Sequence, residues 1–288
     1  MQDARAAVAA EVQSHFDTIL AGFGDGAVAQ GMRYATQGGK RVRALLVMES
    51  ARLHGISDDR AIWPATAIEA MHAYSLVHDD LPCMDDDDMR RGQPTVHVKW
   101  DEATAVLVGD ALHSLAFELA SHPEGAETPE ARADLVLTLS RAAGGQGMVL
   151  GQALDIAAET AENPLTLDEI THLQEGKTGA LIGWAAMAGA VMARADVAPL
   201  RTYAQALGLA FQIQDDVIDV TGTAEAVGKA VGKDAAAGKA TFVSLLGLDA
   251  AITRAHALVE EACDALSLYG DDAETLRQIA RFVIARKS

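Results

Sequence analysis

The chain has 288 residues, and 23 Lys and Arg against 41 Asp and Glu leave a net charge of −18. Half of the residues are hydrophobic, enough to bury a sizeable core and to exclude disorder as the general state. The acid excess argues against a nucleic-acid partner, whose phosphates need a basic face, and against an anionic membrane surface, which recruits polybasic segments.

The first residues, MQDARAAVAAEVQSHF, carry Asp3 and Glu11 and lack the apolar core of a signal peptide. From there a helical period with Ala-rich composition predicts helices over 3–21, 40–54, 61–80, 101–120, 129–158, 166–193, 198–221, 241–266 and 272–286. Thr166 with Glu169 and Asp271 with Glu274 have capping-box spacing, and Thr128-Pro129 is an N-cap followed by Pro. A kink is expected near Gly144, Gly145 or Gly147. The longest charge-free apolar run, Gly179 to Ala193, has fifteen residues, short of the roughly 20 that cross a bilayer. Cys83 and Cys263 are far apart and read as reduced thiols, so a cytoplasmic protein without membrane insertion is expected. With no linker and no repeat, the chain reads as one all-α domain over 1–288. Two stretches interrupt the helices, Leu81 to Pro94 and Gly222 to Lys239.

The first interruption holds six aspartates within ten residues: Asp79, Asp80, Asp85, Asp86, Asp87 and Asp88. Alone, such a run reads as a solvated acidic loop. A second cluster, Gln212-Ile213-Gln214-Asp215-Asp216-Val217-Ile218-Asp219, lies inside an apolar helix. Residues 212, 215, 216 and 219 are spaced to share a face, and three carboxylates there are costly without a counter-charge. His72, Ser75, Leu76 and Asp79 repeat that spacing upstream. Two helices presenting aspartates suit hard cations such as Mg²⁺, which binds through a few carboxylates and substrate phosphates. Basic residues sit beside these clusters. Gly38-Gly39-Lys40-Arg41-Val42-Arg43 opens a predicted helix with Lys40 and Arg43 on one face, where its N-terminus would favour an anion. Arg90-Arg91 follows the first acidic run, Lys177-Thr178 lies mid-helix between glycines, and Lys229, Lys233 and Lys239 follow the second run. Each alone reads as a snorkelling surface cation.

Together these motifs resemble the trans-isoprenyl diphosphate synthases, in particular the bacterial farnesyl diphosphate synthases (geranyltranstransferases). The resemblance runs from Gly38 to Arg286 and covers GGKRVR, HAYSLVHDDLPCMDDDDMRRG, GDAL at 109–112, GQALD at 151–155, GKTG at 176–179, FQIQDDVID and GKATFVSLLG. It implies an all-α isoprenoid synthase fold, single-domain, with helices around a deep central cavity, normally homodimeric. It also implies the chemistry: an allylic diphosphate ionises, isopentenyl diphosphate attacks the cation, and a proton leaves. By this resemblance, Asp79, Asp85 and Asp215 bind three Mg²⁺ ions bridging to the allylic diphosphate, with Asp80 and Asp219 supporting them. Arg90, Lys177, Lys229 and Lys239 would hold the allylic diphosphate; Lys40, Arg43, His72 and Arg91 would hold isopentenyl diphosphate. Lys177, Thr178 and Gln212 would be the catalytic residues, with Thr178 and Gln212 aiming oxygen dipoles at the developing cation. Phe242-Val243 stand where the family often has Tyr-Pro.

The resemblance places product length in the residues just before Asp79. Tyr74, fifth before it, is an aromatic floor that implies a fifteen-carbon product, with Ser75 next to it. A twenty-carbon product is the alternative. Other classes fit less well: a terpene cyclase needs no second cationic set, a non-catalytic subunit would have decayed motifs, and a simple divalent-cation binder leaves the basic residues unused.

Overall fold

The computed structural model describes residues 2–161, 163–221 and 240–285. Lys229, Lys233, Lys239 and residues 286–288 therefore lie outside the described residues. The chain divides into two compact units, Met1–Leu137 with Ala188–Ala195, and Thr138–Met187 with Asp196–Ser288.

The first unit contains α1 (Gln2–Leu20), α2 (Ala27–Ala35), α3 (Val42–Leu53), α4 (Asp58–Asp79), α5 (Val96–Lys99) and α6 (Glu102–Ala120), with a hairpin of β1 (Met89–Arg90) and β2 (Gln93–Pro94). Among the described residues α6 alone is long and apolar enough to cross a membrane. Here it is a core helix, with Val108, Leu112, Leu115 and Leu119 buried and α4 packed along it. The sequence pattern misses α2, whose apolar stripe is interrupted by Gly31. That glycine is what lets α2 approach α6, since a Cβ there would lie 2.4 Å from Val108 Cγ2.

The expected helix over 40–54 begins at Val42, because Arg41 has a left-handed φ of 49°. Lys40 therefore precedes the helix and does not share a face with Arg43. The N-terminus of α3 is capped from another element: Glu69 on α4 accepts the Ala44 N–H through Oε1 at 3.0 Å, satisfying a donor that has no partner within the helix. Its Oε2 takes Arg41 Nη1 at 3.2 Å, and these side chains are only 3% and 4% exposed. Arg41 Nη2 donates to Gln13 Oε1 and to the Thr36 carbonyl, so the guanidinium turns inward.

In the second unit the expected helix over 129–158 breaks at the anticipated glycines into α7 (Pro129–Ala143) and α8 (Met148–Glu159). A Cβ on Gly147 would lie 2.1 Å from the Ala142 carbonyl oxygen. Residues 138–143 of α7 count with this unit and its earlier turns with the first. The expected helix over 166–193 is α9 (Leu167–Gln174) and α10 (Ala180–Ala193), joined by a π turn over Glu175–Gly179. The Thr166–Glu169 capping box forms as expected. Next come α11 (Ala198–Thr221), α12 (Phe242–Leu246), α13 (Leu248–Ala265) and α14 (Glu274–Ala285). Gly247, at φ 84°, splits the expected helix over 241–266. Asp271 lies in a 3₁₀ segment, Ser267–Ala273, and its carbonyl accepts the Glu274 N–H. The buried Tyr203 of α11 donates its hydroxyl to the Leu276 carbonyl at 2.8 Å, fastening α14 to α11.

Removing one partner of a buried ion pair leaves the other charge uncompensated. Glu69→Ala is expected to lower unfolding stability by about 3–5 kcal/mol, read as a lower urea midpoint at unchanged slope. A midpoint equal to wild type would show that the pair contributes nothing.

Candidate functional site

In the first unit, the turn between β1 and β2 is Arg91-Gly92, both at positive φ (53° and 75°), as two-residue hairpin turns require. It sends adjacent arginines to different partners. Arg90 goes to Asp80, at 2.6 Å from Oδ1, with Asp87 at 3.7 Å. Arg91 reaches the loop ahead of α3, where Nη1 donates to the Gln37 carbonyl at 3.2 Å. Gly39 accommodates that guanidinium: its φ is +88°, and a Cβ there would lie 2.9 Å from Arg91 Nη1.

Between these elements opens a cavity of about 280 Å³ lined by Gly38, Gly39, Leu76, Asp80, Arg90 and Arg91 among others. The basic residues in and behind its wall repel one another. Burial, then Arg43, Arg91, Arg90 and Arg41, hold His72 well below its ordinary pKa, so the ring is neutral. Burial lowers the Arg43 pKa, with Glu69 opposing and Arg91 adding to the fall. Arg91 is lowered in the same way, by burial first and then Arg41. For Arg90, burial works against the charge, but Asp80, Asp87 and Asp79 more than offset it and hold the pKa up. Arg43 Nε is buried with no hydrogen-bond partner, and an unmet buried donor costs free energy that a ligand oxygen would recover. The structure thus brings Arg43, His72 and Arg91 within electrostatic reach of one another, and, of the three, Arg91 lines the cavity. It leaves Lys40 exposed and outside the cavity lining, and the α3 N-terminus is occupied by Glu69 rather than open to an anion.

The first aspartate run follows the end of α4. Asp85 N–H bonds the Asp79 carbonyl at 2.8 Å, closing the loop so that Asp79 and Asp85 lie at its two ends. Asp79 is half-buried and Asp85 exposed, whereas Asp80 is buried and taken by Arg90.

In the second unit, Gln212, Asp215, Asp216 and Asp219 are all half-buried while Ile213, Gln214, Val217 and Ile218 are buried, as the stripe on α11 demands. Asp216 accepts the Phe242 N–H at 2.6 Å and so caps α12, a structural task separate from those expected of Asp215 and Asp219. Lys177 and Thr178 sit in the π turn, a feature often found at functional sites. Its backbone crosses α8 with little room: a Cβ on Gly151 would lie 2.0 Å from Lys177 N, and one on Gly176 would lie 3.0 Å from the Gly147 carbonyl oxygen. Lys177 Nζ binds Asp155 Oδ2 at 2.6 Å. One turn away, Gln152 Nε2 is buried without a partner.

Sequence reasoning gave no role to Glu69, Asp155 or Asp216. A lone acid within the apolar run Ala65 to Met71 was the available sign for Glu69. Carboxylates are the donors hard cations prefer, and they fit Mg²⁺. Among the described residues no group of three or more acids, histidines or cysteines is close enough to enclose an ion unaided. Oxygens of a bound ligand would have to complete the shell, as substrate phosphates commonly do for Mg²⁺.

A family model described as polyprenyl synthetase matches residues 26–279. Farnesyl diphosphate synthase of Haemophilus influenzae is 43% identical over 265 residues, covering 90% of this chain and 88% of that protein. Geranylgeranyl diphosphate synthase of Cyanophora paradoxa is 39% identical over 265 residues, covering 89% and 87%. The apo crystal structure of an FPP/GFPP synthase from Zymomonas mobilis matches with a TM-score of 0.90 and 44% identity, over 98% of each chain. The all-α architecture expected from the sequence is therefore the isoprenoid synthase fold.

Gly39→Ala should displace the Arg91 guanidinium. One charge-assisted hydrogen bond is worth about 1.5–3 kcal/mol, so affinity for inorganic pyrophosphate, read by calorimetry, should fall roughly tenfold or more. Unchanged affinity would mean that Arg91 does not contact the anion.

Proposed function

The chain belongs to the polyprenyl synthetase family and is a trans-prenyl diphosphate synthase, and on that premise we propose that it makes farnesyl diphosphate. It would do so by condensing isopentenyl diphosphate with dimethylallyl or geranyl diphosphate. The observation that carries this reading is the group of Arg43, His72 and Arg91 beside the cavity that Arg91 lines, in which Arg43 Nε is buried without a hydrogen-bond partner.

In this reading Arg43, Arg91 and the neutral His72 hold isopentenyl diphosphate, and Lys40 reaches it from the loop. Arg90 and Lys177 hold the allylic diphosphate. Both wait in ion pairs, with Asp80 and Asp155, that keep their charges positioned. Asp79, Asp85 and Asp215 would hold Mg²⁺, with Asp80 and Asp219 in support. The metal supplies charge neutralisation for the departing diphosphate. Lys229 and Lys239 complete the allylic set by resemblance. As the allylic C–O bond breaks, positive charge grows on carbon. Thr178 and Gln212 point fixed oxygen dipoles at it, while apolar surroundings exclude water that would otherwise give an alcohol. Attack by the isopentenyl double bond forms the new C–C bond. Loss of a proton, which the released diphosphate can accept, then restores the alkene.

We assign the fifteen-carbon product to Tyr74, half-buried five residues before Asp79. The likeness to a geranylgeranyl diphosphate synthase supports twenty carbons as the second reading. A homodimer is proposed with it, supported by Val106 and Leu107, which α6 leaves 41% and 53% exposed. The free Cys83 and Cys263 are consistent with a cytoplasmic enzyme.

Incubation with Mg²⁺, isopentenyl diphosphate and geranyl diphosphate, followed by mass spectrometry, should give a fifteen-carbon diphosphate. Tyr74→Ala should lengthen it. A wild-type product of twenty carbons or more would overturn the floor assignment and keep the reaction. Asp79→Ala and Asp215→Ala should each lower turnover by about two orders of magnitude or more, about 2.7 kcal/mol of transition-state stabilisation, with the fold intact by circular dichroism. Near-normal turnover at saturating Mg²⁺ would show that the altered carboxylate is not a metal ligand.

A further inference from the structure

The β1–β2 hairpin that carries Arg90 and Arg91 is very short. Its strands pair Met89 with Pro94 and Arg90 with Gln93, and a lone two-stranded hairpin is marginal in water. At its root the Thr95 N–H donates to the Asp88 carbonyl at 2.9 Å. Bonded and unbonded pairs alternate along an antiparallel ladder, so Asp88–Thr95 is a bonded pair and Met89–Pro94 beside it is not. Pro94, which has no N–H, therefore costs the ladder nothing, and its carbonyl points away from β1. That carbonyl is taken from α2: Tyr34 donates its hydroxyl to it at 2.7 Å.

Tyr34 lies in the last turn of α2 and lines the cavity together with Gln93, Pro94 and Thr95. Its ring is fixed from the end of α5. Lys99 Nζ sits 3.6 Å from the ring centroid, well inside the reach of a cation–π contact. Trp100 meets the same ring edge to face, at 5.4 Å between centroids. Burial raises the Tyr34 pKa above its ordinary value, so the hydroxyl stays a donor through the neutral range. Three residues on, the Gln37 carbonyl accepts Arg91 Nη1 at 3.2 Å. One short segment thus holds the hairpin twice, and the two bonds differ in kind. The bond at Gln37 is made by the guanidinium itself, the group that would turn to an anion. The bond at Pro94 is made by hairpin backbone, and it need not break when the guanidinium turns.

We propose that Tyr34 is a positioning residue for anion binding: its hydroxyl, anchored at the Pro94 carbonyl, holds the hairpin so that Arg91 stays beside the cavity when its guanidinium leaves Gln37 for a diphosphate oxygen. This rests on the reading of Arg91 as a diphosphate ligand. Without the tie the hairpin moves more freely, and an arginine on a loose support loses more entropy when it binds. That loss falls on ground-state binding, before any bond to carbon breaks, so it belongs in KM and not in kcat.

The test uses the full chain, with calorimetry on inorganic pyrophosphate and steady-state kinetics on isopentenyl and geranyl diphosphates. Tyr34→Phe keeps the ring and its contacts with Lys99 and Trp100 and removes the hydroxyl alone. It is expected to weaken pyrophosphate binding by about two- to tenfold, the worth of one hydrogen bond. KM for isopentenyl diphosphate should rise by a similar factor, with kcat within about twofold of wild type. In an Arg91→Ala background the same change should alter affinity by less than about twofold, because residues that act through one another are not additive. Unchanged affinity in Tyr34→Phe, where Arg91→Ala does weaken binding, overturns the positioning role alone. An equal loss in the Arg91→Ala background overturns it too, since Tyr34 would then act without Arg91. An Arg91→Ala chain that binds pyrophosphate as tightly as wild type removes the premise and this inference with it. A wild-type chain that neither binds pyrophosphate nor makes a condensation product overturns the proposed function itself.

Discussion

Glu69, in an otherwise apolar stretch of α4, acts on three arginines, Arg41, Arg43 and Arg91. Its carboxylate binds Arg41, caps α3 and opposes the depression of Arg43 and, with Asp80, of Arg91. Asp80 is taken by Arg90, and Glu69 cannot by itself neutralise Arg41, Arg43 and Arg91, so positive charge gathers beside the cavity inside a protein of net −18. In water such charges would spread apart. Here the two-residue turn at Arg91-Gly92, the left-handed Arg41 and the bare Gly39 hold them together. A ligand with several oxygens and multiple negative charges is the complement, and a diphosphate has both.

The second unit shows the same economy with the opposite sign. Carboxylates share the half-buried face of α11, and each has been given a distinct situation. Asp216 caps α12 by accepting the Phe242 N–H, a task apart from the metal role proposed for Asp215 and Asp219. Lys177 is delivered by a π turn whose backbone runs against Gly151, and Asp155 fixes its ammonium. Glycines at 147, 151 and 176 are thus the means by which a helix crossing presents a lysine at a defined place.

The helices and the aspartate stripes were legible in the sequence because periodicity reports which face is buried. The 212, 215, 216 and 219 spacing appears on α11 as written. The breaks that matter most to the site were less visible. Arg41 leaves the helical region because Glu69, 28 residues on, supplies both the cap and the counter-charge. A helical pattern carried across Glu175–Gly179 gives no sign of the π turn, since one extra residue per turn leaves composition unchanged. Lys40 and Arg43 looked like neighbours on a helix, and only the start of α3 at Val42 separates them. Tyr74 was singled out by resemblance, but its edge-to-face contact with His113 arises from the pairing of α4 with α6 and has no signature in either helix. Lys229 and Lys239, expected in the allylic set, fall outside the described residues.

The claim on which the rest turns is that the arginine cavity awaits a diphosphate and that the carboxylates engage a cation only in its company. The melting temperature of the full chain, followed with inorganic pyrophosphate alone, Mg²⁺ alone and both together, tests it directly, because a ligand stabilises the state that binds it. A rise with pyrophosphate, little change with Mg²⁺, and a combined rise larger than the sum is the predicted result. A full rise with Mg²⁺ alone and none with pyrophosphate would contradict the account and leave a protein that binds only cations.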